Sequence, residues 1–182
     1  MIFKEKQKIK GEFEIKLIDK SGKPKKIWQE FRIFHLLRNK FGWNFPRIPL
    51  VTGYWTEKVR YPNLITNVGK AAAASRWNGD GGEAAFTYLA VGTGTTSPSA
   101  SDTALENEVA RGAATVSRET TNVTNDTAVA TYTFSLSSSY AITEMGLFNA
   151  SSGGTMAARN TFSAINVDEN VDLQVTHKTI FS

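Results

Sequence analysis

Thr127-Ala128-Val129-Ala130-Thr131-Tyr132-Thr133-Phe134-Ser135-Leu136 places Ala130, Tyr132, Phe134 and Leu136 on one face and short polar side chains between them. A period of two over ten residues is the pattern of a strand covered on one side. It recurs downstream in Val171–Phe181, where Val171, Leu173, Val175 and Phe181 share a face, and two further apolar runs, 142–149 and 156–165, lie between. Turn-forming clusters at 121–126, 137–139, 149–155 and 166–170 separate the runs at the spacing of an antiparallel β-sandwich. Upstream, 84–91 reads as another strand entering the turn Gly92-Thr93-Gly94. Thr66 or Asn67 can cap a short helix through the four alanines 71–74 to Trp77, stopped by Asn78-Gly79-Asp80-Gly81-Gly82. Thr103 with Glu106 three residues on forms a capping box, which predicts a second short helix over 102–110. Residues 63–182 are thus expected to form a mainly β sandwich body with one or two short helices.

The residues ahead of this body are different material. Residues 1–62 carry 15 Lys/Arg against 6 Asp/Glu, whereas 63–182 carry 6 against 11. Eleven of the 20 aromatic residues fall in the first 62, while Ser and Thr number 3 in the front and 31 in the rest. Phe13, Ile15 and Leu17 alternate with charged residues, Asp19–Pro24 supplies turn chemistry, and Ile27, Gln29 and Phe31 can return as a second strand, so a β-hairpin is expected. Residues 38–62, with Phe41, Trp43, Phe45, Pro46 and Pro49, predict an irregular arm. A basic, aromatic extension on an acidic body points to docking on neighbouring subunits, with Phe13, Ile15, Trp28, Phe31, Trp43 and Trp55 as the expected contact residues. Removal of residues 1–62 is then expected to leave a folded body.

Several chemistries fit poorly. The 182 residues include no cysteine, which excludes disulfides, thiolate metal sites and a cysteine nucleophile. No run approaches the roughly 18 apolar residues of a membrane helix, and the lysine-rich first ten residues do not lead into a signal-type apolar run. Gly92-Thr93-Gly94 lacks the third glycine of a dinucleotide fingerprint and the Gly-Lys-Ser/Thr ending of a phosphate loop. The histidines His35 and His177 stand 142 positions apart without carboxylates at ligand spacing, so each reads as a core or interface residue. Asp102, Glu106 and Glu108 fit a helix start better than a divalent-ion site, and Asp168, Glu169 and Asp172 lack calcium-loop spacing. Glu144, inside an apolar strand, is expected to be partly buried and paired, with Arg111 or Arg159 as the partner. No catalytic constellation, cofactor site or metal site emerges. Lys4, Lys6, Lys8, Lys10, Lys23, Lys25 and Lys26 could neutralise phosphates, but their alternation equally suits solvated strand edges, and self-association or docking on a partner protein is the favoured use of the basic front.

Two separated stretches carry a resemblance. Residues 88–111, Tyr-Leu-Ala-Val-Gly-Thr-Gly followed by a Ser/Pro/Ala loop and Thr103-Ala104-Leu105-Glu106-Asn107-Glu108-Val109-Ala110-Arg111, form the first. The second is Ile142-Thr143-Glu144-Met145-Gly146-Leu147-Phe148-Asn149-Ala150, then Ser151–Arg159. Together they resemble the attachment domain of tailed-bacteriophage tail-collar fibre proteins and related small phage structural proteins, over about residues 63–182. The resemblance implies a non-enzymatic virion component without a cofactor, a symmetric homo-oligomer assembled in the host cytoplasm, whose partners are other virion proteins and copies of itself. A tail-fibre or baseplate-type attachment role is the leading expectation. A capsid decoration protein is the alternative, and a carbohydrate-binding sandwich module using Trp77 is the rival from another class.

Overall fold

The chain was analysed as a computed structural model that describes residues 9–41, 46, 47, 49 and 53–181. Thirteen strands and two helices run in the order β1 (Ile9–Asp19), β2 (Pro24–Lys25), β3 (Ile27–Glu30), α1 (Arg32–Phe41), β4 (Gly53–Thr56), β5 (Lys58–Pro62), β6 (Leu64–Ile65), α2 (Asn67–Asn78), β7 (Tyr88–Gly92), β8 (Glu108–Ala113), β9 (Thr115–Glu119), β10 (Thr127–Ser135), β11 (Tyr140–Phe148), β12 (Met156–Val167) and β13 (Val171–Phe181). The architecture is mainly β, with two antiparallel sheets around a shared core, as the alternating runs predict. One sheet runs β2-β1-β13-β10-β9, with β5 also on β1; the other runs β6-β12-β11-β7-β8, and β3 and β4 form a two-stranded ribbon.

The front segment does not stand apart. β1 pairs with β13 along its whole length, Ile9 opposite Phe181 to Asp19 opposite Val171. Its other edge carries β2 at one end and β5 at the other. Phe13, Ile15, Leu17, Val59 and Tyr61 are buried in the same core as Leu89, Phe134, Met145, Phe162 and Leu173. The expected boundary at residue 62 is therefore corrected: alternation marked β1 as a strand, but its pairing partner β13 lies some 160 residues downstream, where only the tertiary fold could supply it. The hairpin is also shorter than expected. Its return is two residues long, and Ile27–Glu30 pairs instead with β4, in the region expected to be irregular. α1 is a helix that the sequence reading did not anticipate.

Helix α2 forms where its caps place it. Thr66 Oγ1 accepts from the Gly69 amide, and Gly79 ends the helix with φ 74°, a left-handed conformation natural to glycine. Gly69 and Ala72 turn inward, and a Cβ on Gly69 would lie 2.5 Å from the Ala157 carbonyl oxygen, so the absent side chain lets the helix sit directly on β12. The second helix is not formed. Residues 93–107 run as an irregular cover over the outer face of β11, with Leu105 packed among Ala90, Phe148 and Met156 in a second small core. A bulge between Ile142 and Glu144 explains how β11 serves both sides. Ile142, Met145 and Leu147 face the shared core, whereas Glu144 and Phe148 lie beneath the cover.

Candidate functional site

The two resembling stretches meet at Glu144. Its carboxylate is fully buried, and Oε1 accepts from the Gly94 amide at 3.0 Å and the Asn107 amide at 2.7 Å. Oε2 accepts from the Glu106 amide at 3.1 Å and from Arg159 Nε and Nη2 at 3.1 and 2.9 Å. Arg159 Nη1 continues to Asp102 Oδ2 at 2.8 Å, and Asp102 in turn holds the Ser99 amide. Of the two guanidiniums considered for Glu144, the fold uses Arg159. Arg111 grips Glu108, lies over the Phe148 ring at 3.6 Å, and donates to the Ala150 and Gly153 carbonyls. Burial alone would lower the Arg159 pKa, but its bonds to Asp102 and Glu144 outweigh this and raise it. Glu106, whose carboxylate caps the Thr96 and Thr95 amides, is held below the ordinary carboxylate range, chiefly by the Thr96 bond.

These bonds explain the Gly-Thr-Gly turn. Neither Gly92 nor Gly94 has a positive φ, so the conformational freedom of glycine is not what the turn requires. Space is: a Cβ on Gly94 would come within 2.5 Å of Glu144 Oε1, and one on Gly92 within 2.4 Å of the Asn107 carbonyl oxygen. Asp102, Glu106 and Glu108 have separate duties in backbone capping and ion pairing. Among the described residues no group of three or more His, Asp or Glu is placed to hold a metal ion. With five hydrogen bonds on one carboxylate, the arrangement can hold a loop rigidly, and it leaves Glu144 no free lone pair facing solvent for proton transfer.

The basic front has its own carboxylate. Glu14, on β1, is 7% exposed and receives Arg60 Nε at 2.9 Å, with Lys58 and Lys16 at 3.3 and 3.6 Å. Burial would raise the Glu14 pKa, but the Arg60 bond and the nearby Lys58 charge outweigh it, and the pKa is lowered. His177 is 1% exposed, edge-on to the Phe13 ring at 4.7 Å, with Asn63 Nδ2 2.6 Å from Nε2. Burial pushes its pKa down to about 3, so it is a neutral core histidine, as its place in β13 suggests. His35 lies in α1, and its side chain is outside the described residues.

The expected contact residues divide. Phe13, Ile15 and Trp28 are turned into the chain's own interior at 0, 0 and 4% exposure, which corrects their assignment as a docking surface. The reason is that the apolar face of β1 packs in the shared core on residues of the opposite sheet such as Leu89, Met145 and Phe162, while Trp28 packs edge-on against Trp55 of β4. Phe31 is half-buried against Tyr54, Trp43 falls outside the described residues, and Trp55 is 50% exposed on β4. The sequence reading missed an apolar groove of about 470 Å³ between α2 and the ends of β9, β10 and β13. Small side chains, Gly69, Ala73, Ala128 and Ala130, are among its lining, as is Trp77, which is 89% exposed. The tetra-alanine run was the available signal, since a helix of small residues cannot fill the space above a sheet. So apolar a lining offers sugar hydroxyls few partners, which weighs against the carbohydrate-binding alternative. Compared with known proteins, the chain matches no protein-family model, no curated protein and no solved structure.

Proposed function

We propose that the chain is a non-enzymatic structural component of a tailed-phage virion, of the tail-fibre or baseplate attachment type. One observation carries the reading. The stretches 88–111 and 142–159, which resemble phage structural proteins, converge through the fold on the Glu144–Arg159–Asp102 network, although 30 residues separate them. Their polar side chains pin a covering loop to a sheet, which is a job of rigidity and suits a block repeated in an assembly. Attachment by adding β1 to a neighbour is set aside, because both edges of β1 are already paired within the chain. Docking falls instead to exposed surfaces, and among the described residues Trp55 is the expected contact that stands well out of the fold.

Quantitative mass spectrometry of purified virions from a producing lysate tests the reading. A fixed stoichiometry of a few to a few dozen copies supports a tail component. Hundreds of copies would move the chain to the head shell, as a decoration protein. Absence from particles overturns the virion assignment altogether.

A further inference from the structure

Among the described residues ten large apolar side chains are exposed, and eight of them fall into two groups. Ile9, Trp77, Val116 and Phe181 line the α2 groove. Ile33, Phe41, Tyr54 and Trp55 lie on α1 and β4. Strand β12 sets the distance between the groups. At one end Ala157 receives the Thr66 amide and backs Gly69 beside the groove. At the other, Ser163 Oγ bonds Glu30 of β3, and Arg47 Nη2 bonds the Ala164 carbonyl at 3.1 Å. Seven residues of extended strand span about 20 Å at ~3.3 Å each, so the two apolar surfaces lie toward opposite ends of the molecule.

One carboxylate on the ribbon side is opposite in sign to the cations of the groove, although the neighbouring α1 is itself basic, with Arg32, Arg38 and Lys40. Lys70 and Arg76 stand on the α2 wall of the groove, and neither forms an ion pair among the described residues. Glu57 follows Trp55 by two residues, is exposed, and is likewise without an ion pair there. We propose that Tyr54 and Trp55 of one copy enter the α2 groove of a second copy, with Glu57 facing Lys70 and Arg76. The groove volume of about 470 Å³ lies within the roughly 300–1,000 Å³ of sites that enclose drug-sized molecules, and so has room for such side chains. Because ribbon and groove are different patches, the contact is heterologous and builds a closed ring or an open chain of copies. It stands whether or not the chain belongs to a virion.

Sedimentation velocity of the full chain over a concentration series tests this. The wild type is expected to associate reversibly. Trp55→Asp removes the insert and Ala73→Trp fills the groove, and each is expected to weaken association at least ~30-fold, the effect of losing an interface hot spot of about 2 kcal/mol. An equimolar mixture of the two variants is expected to form a 1:1 dimer and nothing larger, because one intact ribbon meets one intact groove. A wild type that is monomeric throughout, a variant that associates undiminished, or a mixture that stays monomeric overturns the proposal. Trp55 packs edge-on against Trp28 at 5.6 Å, so if Trp55→Asp does not fold, the exposed charges decide. Glu57→Lys and Lys70→Glu should each weaken association, and the doubly exchanged chain should regain it. No regain overturns the proposed register.

Discussion

Glu144 and His177 are both sealed from solvent, yet the protein treats them in opposite ways. Glu144 lies wholly within the second half of the chain, carries a charge, and receives three backbone amides and a guanidinium. His177 lies on the seam where the front strand meets the rest, between Phe13 and Asn63, and has no countercharge among the described residues. A charge can be buried when its lone pairs are filled, and a group with one good partner must stay neutral. The comparison separates two kinds of stability. The network around Glu144 fixes a loop on an already formed sheet, whereas the seam around His177 depends on apolar packing between segments of contrasting composition.

The seam is broken most completely by removing residues 1–62. That deletion strips Phe13, Ile15, Leu17 and Val59 from the core. At about 1.5–3 kcal/mol for each buried side chain, these four are worth roughly 6–12 kcal/mol, comparable to the whole stability of an ordinary domain. The truncated chain is expected to show no cooperative urea transition and no native near-ultraviolet dichroism. A sharp transition in the truncated protein would restore the independent body that the composition suggests.

The network is broken by Arg159→Leu, which leaves Glu144 with its three amide donors but no countercharge. A loss of about 3–5 kcal/mol in urea unfolding is expected, the usual result of orphaning one member of a buried pair. The double variant Glu144→Leu with Arg159→Leu should lose less than the sum of the single changes, because the two groups act as a unit. Additive losses, or a cost for Arg159→Leu below about 1 kcal/mol, would mean that the amides alone hold the carboxylate.

What the sequence disclosed follows the same division. The runs 127–135, 140–148, 156–167 and 171–181 were legible because each presents a continuous apolar face, and Glu144 stood out as a charge within one of them. β8 and β9 were not legible, since they form the outer edges of the two sheets and every residue of β9 is exposed, leaving no apolar pattern to read. The Thr103–Glu106 box misled because Glu106 caps the Thr95 and Thr96 amides just after the Gly-Thr-Gly turn, which only the folded loop brings near. The groove was invisible because it is defined by what small side chains fail to fill. β1 was seen as a strand but assigned to the wrong partner. The charge contrast between the two parts of the chain describes their surfaces and carries no information about which interior faces meet.

Acid distinguishes the two centres. An unfolded chain carries its imidazoles near pKa 6.5, whereas folded His177 titrates at about 3. Between those values only the unfolded state takes up the proton, so stability falls as the pH falls. The amide of Asn63 adds to this, since with its nitrogen as donor it needs an accepting, neutral ring. From pH 6.5 to 5 the loss is expected to be about 2 kcal/mol. Glu14 and Glu106 have lowered pKa values and add the same sign of effect only below their ordinary value of 4.5. The window from 4.5 to 6.5 therefore reads the histidine. His177→Gln is expected to flatten the stability profile there whatever its absolute stability, and an unchanged slope would place the acid sensitivity elsewhere.

The weakest expected effect sharpens the comparison by removing burial from it. Lys178 Nζ approaches Glu119 Oε2 to 2.5 Å, closer than the 2.9 Å between Arg159 and Glu144, yet Glu119 is half exposed where Glu144 is sealed. Water screens the exposed pair, and holding two long side chains together costs entropy, so such pairs contribute about 0–1 kcal/mol. Lys178→Ala should therefore shift the urea midpoint by a small fraction of the Arg159→Leu shift, and that small shift should shrink further in 1 M salt, where the screening length is roughly 3 Å. If Lys178→Ala cost as much as Arg159→Leu, distance rather than burial would govern the ion pairs of this fold. In that case the contrast between the sealed network and the surface would lose its physical basis, because the five bonds on Glu144 would then confer no more than one short contact on an edge strand.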